Sequence, residues 1–203
     1  HKSIAVARLQ IDAGALGIGA ATLGEAEVMG GGGIPGVLIT SPVIADSKID
    51  GLMALNGTAE GLMQTVDNMQ NLRALDAAAG QAGKPLDVVI DVDVGLHRTG
   101  AAGVTEAVAL VEAATAAANL NYAGVQGYAG HIMHIEDYGE RRETSITDTK
   151  PLNDTCAALA EKNLTPAIVT GAGTGTYDID AGLGVMSEMQ VGSYVVMDVE
   201  YRD

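Results

Sequence analysis

The chain has 203 residues, of which 47% are hydrophobic and 18% charged, which fits a folded domain and argues against a disordered segment. Its 11 basic and 26 acidic residues give a formal net charge of −15, which argues against binding to nucleic acid or an anionic membrane, because a polyanion is repelled. The apolar runs fall short of the roughly 20 residues of a membrane span, and the single cysteine fits a reducing compartment, so we expect a cytoplasmic protein.

Short apolar runs alternate with amphipathic segments along the chain. The pattern predicts helices over residues 4–13, 24–29, 48–55, 69–82, 105–118 and 152–162. It predicts strands over residues 16–20, 37–40, 63–66, 87–92, 122–126, 167–170 and 189–197. Continuous apolar strands separated by helices are typical of parallel βα units, whose strands are buried on both faces.

Two parallel architectures fit this alternation, an open doubly wound sheet and a (β/α)8 barrel. A barrel needs eight strands and the pattern predicts seven. The number of strands reaches eight if residues before His1 form one more. No linker rich in Pro, Gly or Ser divides the sequence. We therefore expect one domain over residues 1–203.

Glycine-rich and hydroxyl-bearing segments follow two of the last predicted strands. Residues 171–176 read Gly-Ala-Gly-Thr-Gly-Thr, and successive backbone N–H groups with hydroxyls suit a phosphate. Gly192 and Ser193 form a second candidate anion cradle on the next predicted strand. A flexible turn explains one such loop about as well, but adjacent loops after late strands favour a phosphate site of the kind many barrels share.

Arg98 and Tyr128 also follow predicted strands, where a barrel places its active site. Arg98 is a candidate contact for an anion, and the alternative is a salt bridge to Asp91 or Asp93. The ring of Tyr128 could stack on a planar ligand.

Two histidines, His131 and His134, are three residues apart and would share one face of a helix. A metal-binding pair, a general base with a positioning group, and two polar loop residues all remain open, since the spacing differs from His-Glu-x-x-His.

Six segments then occur in an order that is known from one enzyme family. They are residues 1–3, 23–27, 97–100, 127–134, 171–177 and 188–194. Through them, nearly the whole chain resembles the D-threonine aldolase / D-serine dehydratase family of pyridoxal-phosphate (PLP) enzymes. That resemblance implies a (β/α)8 barrel of the alanine racemase type, here without its first strand.

The resemblance also implies roles for individual residues. His134 is expected to remove the proton of the substrate's β-hydroxyl, and Arg98 to approach the phenolic oxygen of PLP. Gln190 stands where alanine racemases place an arginine against the pyridine nitrogen. The cofactor-binding residues implied are Tyr128 on the ring, Gly173, Thr174, Gly192, Ser193 and Tyr201 around the phosphate, and Gln190.

The expected reaction is retro-aldol cleavage of a β-hydroxy-D-amino acid, such as D-threonine to glycine and acetaldehyde. A D-serine dehydratase or a racemase on the same barrel remains an alternative, as does a non-catalytic PLP-binding protein or a phosphate-binding barrel unrelated to PLP. His131 replaces a smaller residue of the relatives, and Ala21 stands where they often have Gln. Because of these differences, the resemblance does not fix which substrate is cleaved.

The family lysine that binds PLP covalently lies two residues before the position of His1, and Lys2 matches a different lysine. A C-terminal β-domain with the ligands of a divalent metal would follow Asp203. We therefore expect an internal fragment, inactive alone and poorly stable, of a longer homodimeric enzyme.

Overall fold

A computed structural model of the chain describes residues 2–197. The helices are α1 (Ile4–Asp12), α2 (Leu23–Gly31), α3 (Asp46–Thr58), α4 (Met69–Ala82), α5 (Val104–Ala116), α6 (Tyr138–Glu161) and α7 (Tyr177–Leu183). The strands are β1 (Ile18–Ala20), β2 (Val37–Ile39), β3 (Met63–Val66), β4 (Leu86–Asp91), β5 (Leu120–Gly127), β6 (Ile168–Gly171) and β7 (Glu188–Met189). Short 3-10 helices occur at Gly130–Ile132 and Ser193–Val195.

The seven strands follow one another in chain order across a single sheet. Parallel pairing is found between β1 and β2, β2 and β3, β5 and β6, and β6 and β7. Each connection between neighbouring parallel strands carries a helix, as parallel pairing requires. This α/β architecture confirms the predicted succession of βα units.

The chain divides into two compact units, the first made of residues 1–89 and 110–123. In this unit Ile18 lies opposite Val37, and Leu38 lies opposite Met63. Its core is aliphatic, with the fully buried side chains Ile39, Leu52, Leu75 and Leu86 at its centre.

The second unit contains residues 90–109 and 124–203. In it Gln126 lies opposite Thr170, and Thr170 lies opposite Glu188. Ile132, Leu152 and Leu159 are fully buried. Most candidate functional residues belong to this unit.

Local hydrogen bonds explain where several helices begin. The side chains of Ser3, Thr22, Asn68 and Asp137 each accept a hydrogen bond from the backbone N–H three residues on, which caps α1, α2, α4 and α6. α4 ends at Gly83, whose φ of 71° is the left-handed conformation that glycine adopts without strain.

Most predicted elements are confirmed within a few residues, and β3 and α4 have the predicted bounds. The last predicted strand, 189–197, is wrong beyond Met189, because the chain turns at Gly192 into a 3-10 helix. The predicted helix 152–162 starts earlier, at Tyr138, and continues through Pro151. α7 was not predicted.

No helix within residues 2–197 combines the length and the apolar character required to cross a membrane.

Candidate functional site

Successive side chains along β5 point to opposite faces of the sheet. A Cβ placed on Gly127 would lie 3.2 Å from Cδ2 of Leu152 in α6, so this position faces the helix. Gln126 is one residue away within β5, so its side chain projects from the opposite face of the sheet. Thr170 shares that face, because it lies level with Gln126.

Tyr128 and Arg98 lie together after β5 and β4. The guanidinium carbon of Arg98 is 5.6 Å from the centre of the Tyr128 ring, a cation–π distance. Gly130 passes close beneath the ring, since a Cβ there would be 2.6 Å from Cε1 of Tyr128. The sequence therefore places a cation and an aromatic face side by side in the second unit.

Asp93, one of the two acids considered as a salt-bridge partner of Arg98, forms its hydrogen bonds within its own loop. Its Oδ1 accepts hydrogen bonds from the backbone N–H groups of Gly95 and His97, at 3.1 and 3.0 Å, and its Oδ2 lies 2.6 Å from Nδ1 of His97. Burial raises the pKa of Asp93, but hydrogen bonds from His97 and Gly95 outweigh it, so the pKa lies below its usual value. These bonds fix the loop that carries Arg98.

The glycine-rich loop after β6 packs against the segment that follows β5. A Cβ on Gly173 would lie 2.6 Å from Sδ of Met133, and one on Gly175 would lie 2.3 Å from the backbone oxygen of Met133. Ala172 adopts a φ of 59°, which a residue with a side chain rarely adopts. Close packing against Met133 therefore requires glycine at positions 173 and 175, in addition to any role in binding a phosphate.

The two threonines of this loop have different partners. Thr176 is buried and donates its hydroxyl to Oδ2 of Asp180 at 2.6 Å, while Ser145 donates to Oδ1 at 2.5 Å. Oγ1 of Thr174 instead accepts the backbone N–H of Tyr194 at 3.1 Å, which leaves the hydroxyl hydrogen to be donated to another group. Thr174 is therefore the threonine suited to bind an anion.

The same hydrogen bond joins the two predicted anion loops. Tyr194 belongs to the 3-10 helix that starts at Ser193, directly after Gly192. Gly192 and Ser193 are exposed, and a Cβ on Gly192 would meet no atom within 4 Å. The structure thus brings Gly173 and Thr174 near this turn, whereas Tyr201 lies outside the described residues.

Gln190, just after β7, lies at one end of a row of hydrogen-bonded polar side chains. Its Nε2 donates to Oε1 of Gln126 at 2.9 Å and lies 3.2 Å from Oγ1 of Thr170. Nε2 of Gln126 in turn donates to Oδ1 of Asp91 at 3.0 Å. The sequence analysis missed Gln126 and Thr170, although a polar residue within an apolar strand, as in Val125-Gln126, is a usable signal.

The two histidines do not share a helical face, since the 3-10 helix ends at Ile132. Nε2 of His131 lies 2.7 Å from Oδ2 of Asp148 in α6, and His134 is exposed in the following turn. Across residues 2–197 no group of three or more His, Cys, Asp or Glu side chains is arranged to hold a metal ion.

The groups present in the second unit fit a phosphorylated aromatic cofactor. They are the hydroxyl of Thr174, the exposed backbone beside Gly192, the aromatic ring of Tyr128 with the Arg98 cation, and the side chain of Gln190. The lysines of the second unit's described part are Lys150, which pairs with Asp154, and Lys162 at the end of α6, so neither belongs to this set.

Relatives of this chain include enzymes of D-amino acid chemistry. It is 35% identical over 202 residues to a 3-hydroxy-D-aspartate aldolase of Paracoccus denitrificans (strain Pd 1222), covering 99% of this chain and 52% of the relative. It is 33% identical over 201 residues to a D-threonine aldolase of Arthrobacter sp., covering 99% of this chain and 53% of the relative. The crystal structure of D-threonine aldolase from Filomicrobium marinum superimposes with a TM-score of 0.96 at 36% identity, covering 100% of this chain and 55% of that one.

The chain spans about half the length of these relatives, as the coverages of 52% and 53% show. Residues 1–199 match the family described as alanine racemase, N-terminal domain. The chain therefore belongs to the alanine racemase N-terminal domain family, with the D-threonine and 3-hydroxy-D-aspartate aldolases among its relatives.

Proposed function

We propose that this chain is the cofactor-binding part of a PLP-dependent lyase that cleaves β-hydroxy-D-amino acids between Cα and Cβ. The observation that carries the proposal is the hydrogen bond from Tyr194 to Thr174, which joins the two loops predicted to bind an anion, in the unit that also holds Tyr128 and Arg98. The names of the Paracoccus and Arthrobacter relatives support the reaction class.

The two joined loops would hold the phosphate. Thr174 would donate its hydroxyl, and Gly173, Gly192 and Ser193 would supply backbone N–H groups and a second hydroxyl. Such groups are oriented before the ligand arrives, so an oxyanion replaces water at a small entropic cost.

Tyr128 would pack against the aromatic part of the cofactor, Arg98 would lie near its phenolic oxygen and Gln190 would lie at its ring nitrogen. An arginine favours the anionic form of a phenol beside it. When bound, PLP supplies an electron sink for the electron pair that is released as Cα–Cβ breaks.

His134 accepts the proton of the substrate's β-hydroxyl, which allows the carbonyl product to form. Its imidazole is exposed, in the turn after Gly130–Ile132. Removing a general base typically costs 10²–10⁴-fold in rate, so we expect a decrease on the order of 10²-fold or more in kcat for His134→Asn. Glu136→Gln, at an exposed position two residues away, is the matched control.

The single domain over residues 1–203, a divalent metal, the homodimeric state and the cytoplasmic location stay predictions.

The proposed function is tested by product analysis with PLP, in the presence and absence of a divalent cation. The longest natural reading frame that contains this chain should release glycine and acetaldehyde from D-threonine, or glycine and glyoxylate from 3-hydroxy-D-aspartate, and nothing from L-threonine. Ammonia with a 2-oxo acid would identify a dehydratase, the opposite enantiomer a racemase, and no turnover of any β-hydroxy-D-amino acid would contradict the proposal.

A further inference from the structure

A chain of hydrogen bonds joins polar side chains on β4 and β5 to Gln190, directly after β7. Asp91 accepts from Nε2 of Gln126 at 3.0 Å, and Gln126 accepts from Nε2 of Gln190 at 2.9 Å. Asp91, Gln126 and Thr170 are each no more than 3% exposed. Buried polar groups of this kind retain their partners, because a lost hydrogen bond is not replaced by water.

The direction of these bonds follows from the partners that each polar atom has. Oδ2 of Asp91 accepts from the hydroxyl of Thr99 and Oδ1 accepts from Nε2 of Gln126, so Gln126 presents its NH2 group to Asp91. Oε1 of Gln126 is then the atom that faces Gln190. Because this oxygen can only accept, Gln190 must present its own NH2 group to Gln126.

Both amide hydrogens of Gln190 are engaged within the protein. One is donated to Gln126, and the other is directed at Oγ1 of Thr170, 3.2 Å from the same nitrogen. The carbonyl oxygen is the remaining polar atom of this side chain. A ligand atom that bonds to Gln190 must therefore be a hydrogen-bond donor.

We infer that Asp91, acting through Gln126, is a positioning residue that leaves Gln190 an acceptor, so that the ring nitrogen of the bound cofactor carries a proton. This inference rests on the proposed function for the identity of the ligand. A protonated pyridine ring withdraws electrons more strongly than a neutral one, which suits cleavage of a Cα–Cβ bond.

The inference is tested by nitrogen NMR of PLP labelled with ¹⁵N in the ring and bound to the full-length protein. We expect the chemical shift of a pyridinium nitrogen. In Asp91→Asn, either end of the new amide can face Gln126, so both bond directions become accessible and the signal should shift toward neutral pyridine. Thr99→Val removes the hydroxyl that bonds Oδ2 of Asp91 at 2.8 Å but keeps the carboxylate, so it should retain the pyridinium shift.

A neutral-pyridine shift in the native protein would overturn the inference, and an unchanged shift in Asp91→Asn would overturn the role of Asp91. If Asp91→Asn does not fold, the nitrogen shifts of PLP in the native protein and in Thr99→Val still show whether the ring nitrogen is protonated.

Absence of PLP binding by the native protein would instead contradict the proposed function. In that case the bond direction is tested without ligand, by hydrogen exchange of the side-chain amides. Slow exchange of the Gln190 NH2 group is expected, and exchange as fast as that of an exposed glutamine would overturn the inference.

Discussion

Asp93 shows how one side chain can organise a loop that carries a candidate site residue. It accepts hydrogen bonds from the backbone N–H groups of Gly95 and His97, and its other oxygen contacts the imidazole of His97. His97 itself adopts a φ of 53°. Left-handed backbone is unfavourable for a residue with a side chain, so these bonds must offset that conformational cost. Arg98 follows immediately and depends on the resulting loop geometry.

The lowered pKa of Asp93 predicts a specific dependence of stability on pH. A carboxyl group with a lower pKa in the folded state stabilises the protein above its unfolded pKa of about 3.9, and this contribution disappears as the pH falls through the folded pKa. We expect native protein to exceed Asp93→Asn in urea midpoint at pH 6, with the difference shrinking below about pH 4. Asp50→Asn, at an exposed position in α3, is the control, and a difference that stays constant down to pH 3 would refute the assignment.

Cys156 offers an independent test of burial in α6. Burial raises the pKa of its thiol, although a backbone hydrogen bond partly opposes the increase. We expect alkylation by iodoacetamide to reach half its maximal rate at a higher pH than for a cysteine in an unstructured peptide, whose pKa is about 8.5. Cys156→Ser supplies the background, and a midpoint at or below the peptide value would disagree with the half-buried position.

At the scale of elements, the glycine-rich loop and the segment after β5 behave as one packed assembly. Gly173 and Gly175 allow the backbone to approach Met133, and Thr176 connects the loop to α7 through Asp180. The glycine-rich loop is therefore held by contacts on both sides, which reduces the entropic cost of ordering it when a ligand binds.

This packing predicts opposite effects for two glycine substitutions. Gly175→Ala places a Cβ 2.3 Å from the backbone oxygen of Met133 and should lower the free energy of unfolding by about 1–3 kcal/mol, as overpacking does. Gly182→Ala, within α7, meets no atom within 4 Å and should raise it by about 0.5–1 kcal/mol. Urea unfolding of both variants decides the point, and equal stability of Gly175→Ala and native protein would show that the contact is absent.

The strands of this chain were predictable because they are continuous apolar runs that end at polar or glycine-rich residues. α6 was only partly predicted, because Pro151 removes a helix hydrogen bond and favours a helix boundary, yet the helix continues past it. The end of β7 was not predictable from alternation alone. Val196 and Met197 are 75% and 54% exposed, so within residues 2–197 no segment covers them as it would cover a central strand.

Individual site residues were predictable from motifs, but their hydrogen bonds were not. Thr174 and Thr176 are equivalent in the sequence, and only the tertiary structure assigns Tyr194 to one and Asp180 to the other. The row from Asp91 to Gln190 connects residues 99 positions apart in the chain, between which no local pattern gives a contact. Local propensity carries no information about such pairings.

For the whole molecule, the net charge of −15 is the dominant electrostatic property. Excess charge of one sign destabilises a compact state by self-repulsion, and salt screens that repulsion. We therefore expect Tm to rise between 10 and about 300 mM NaCl at pH 7, because the Debye length falls below 10 Å. Near pH 4.4, the pI of the sequence, the increase should vanish, and a salt effect of equal size at both pH values would show that charge repulsion is not its cause.

The central claim is that residues of the second unit form a site for PLP with Thr174 on its phosphate. Equilibrium dialysis of PLP against the full-length native protein, Thr174→Val and Thr174→Ser measures this most directly. A hydrogen bond to a charged group contributes about 1.5–3 kcal/mol, so we predict that Thr174→Val binds PLP about 10- to 100-fold more weakly and that Thr174→Ser, which keeps the hydroxyl, binds like native protein. Equal PLP affinity of native protein and Thr174→Val, or no binding by native protein, would contradict the account.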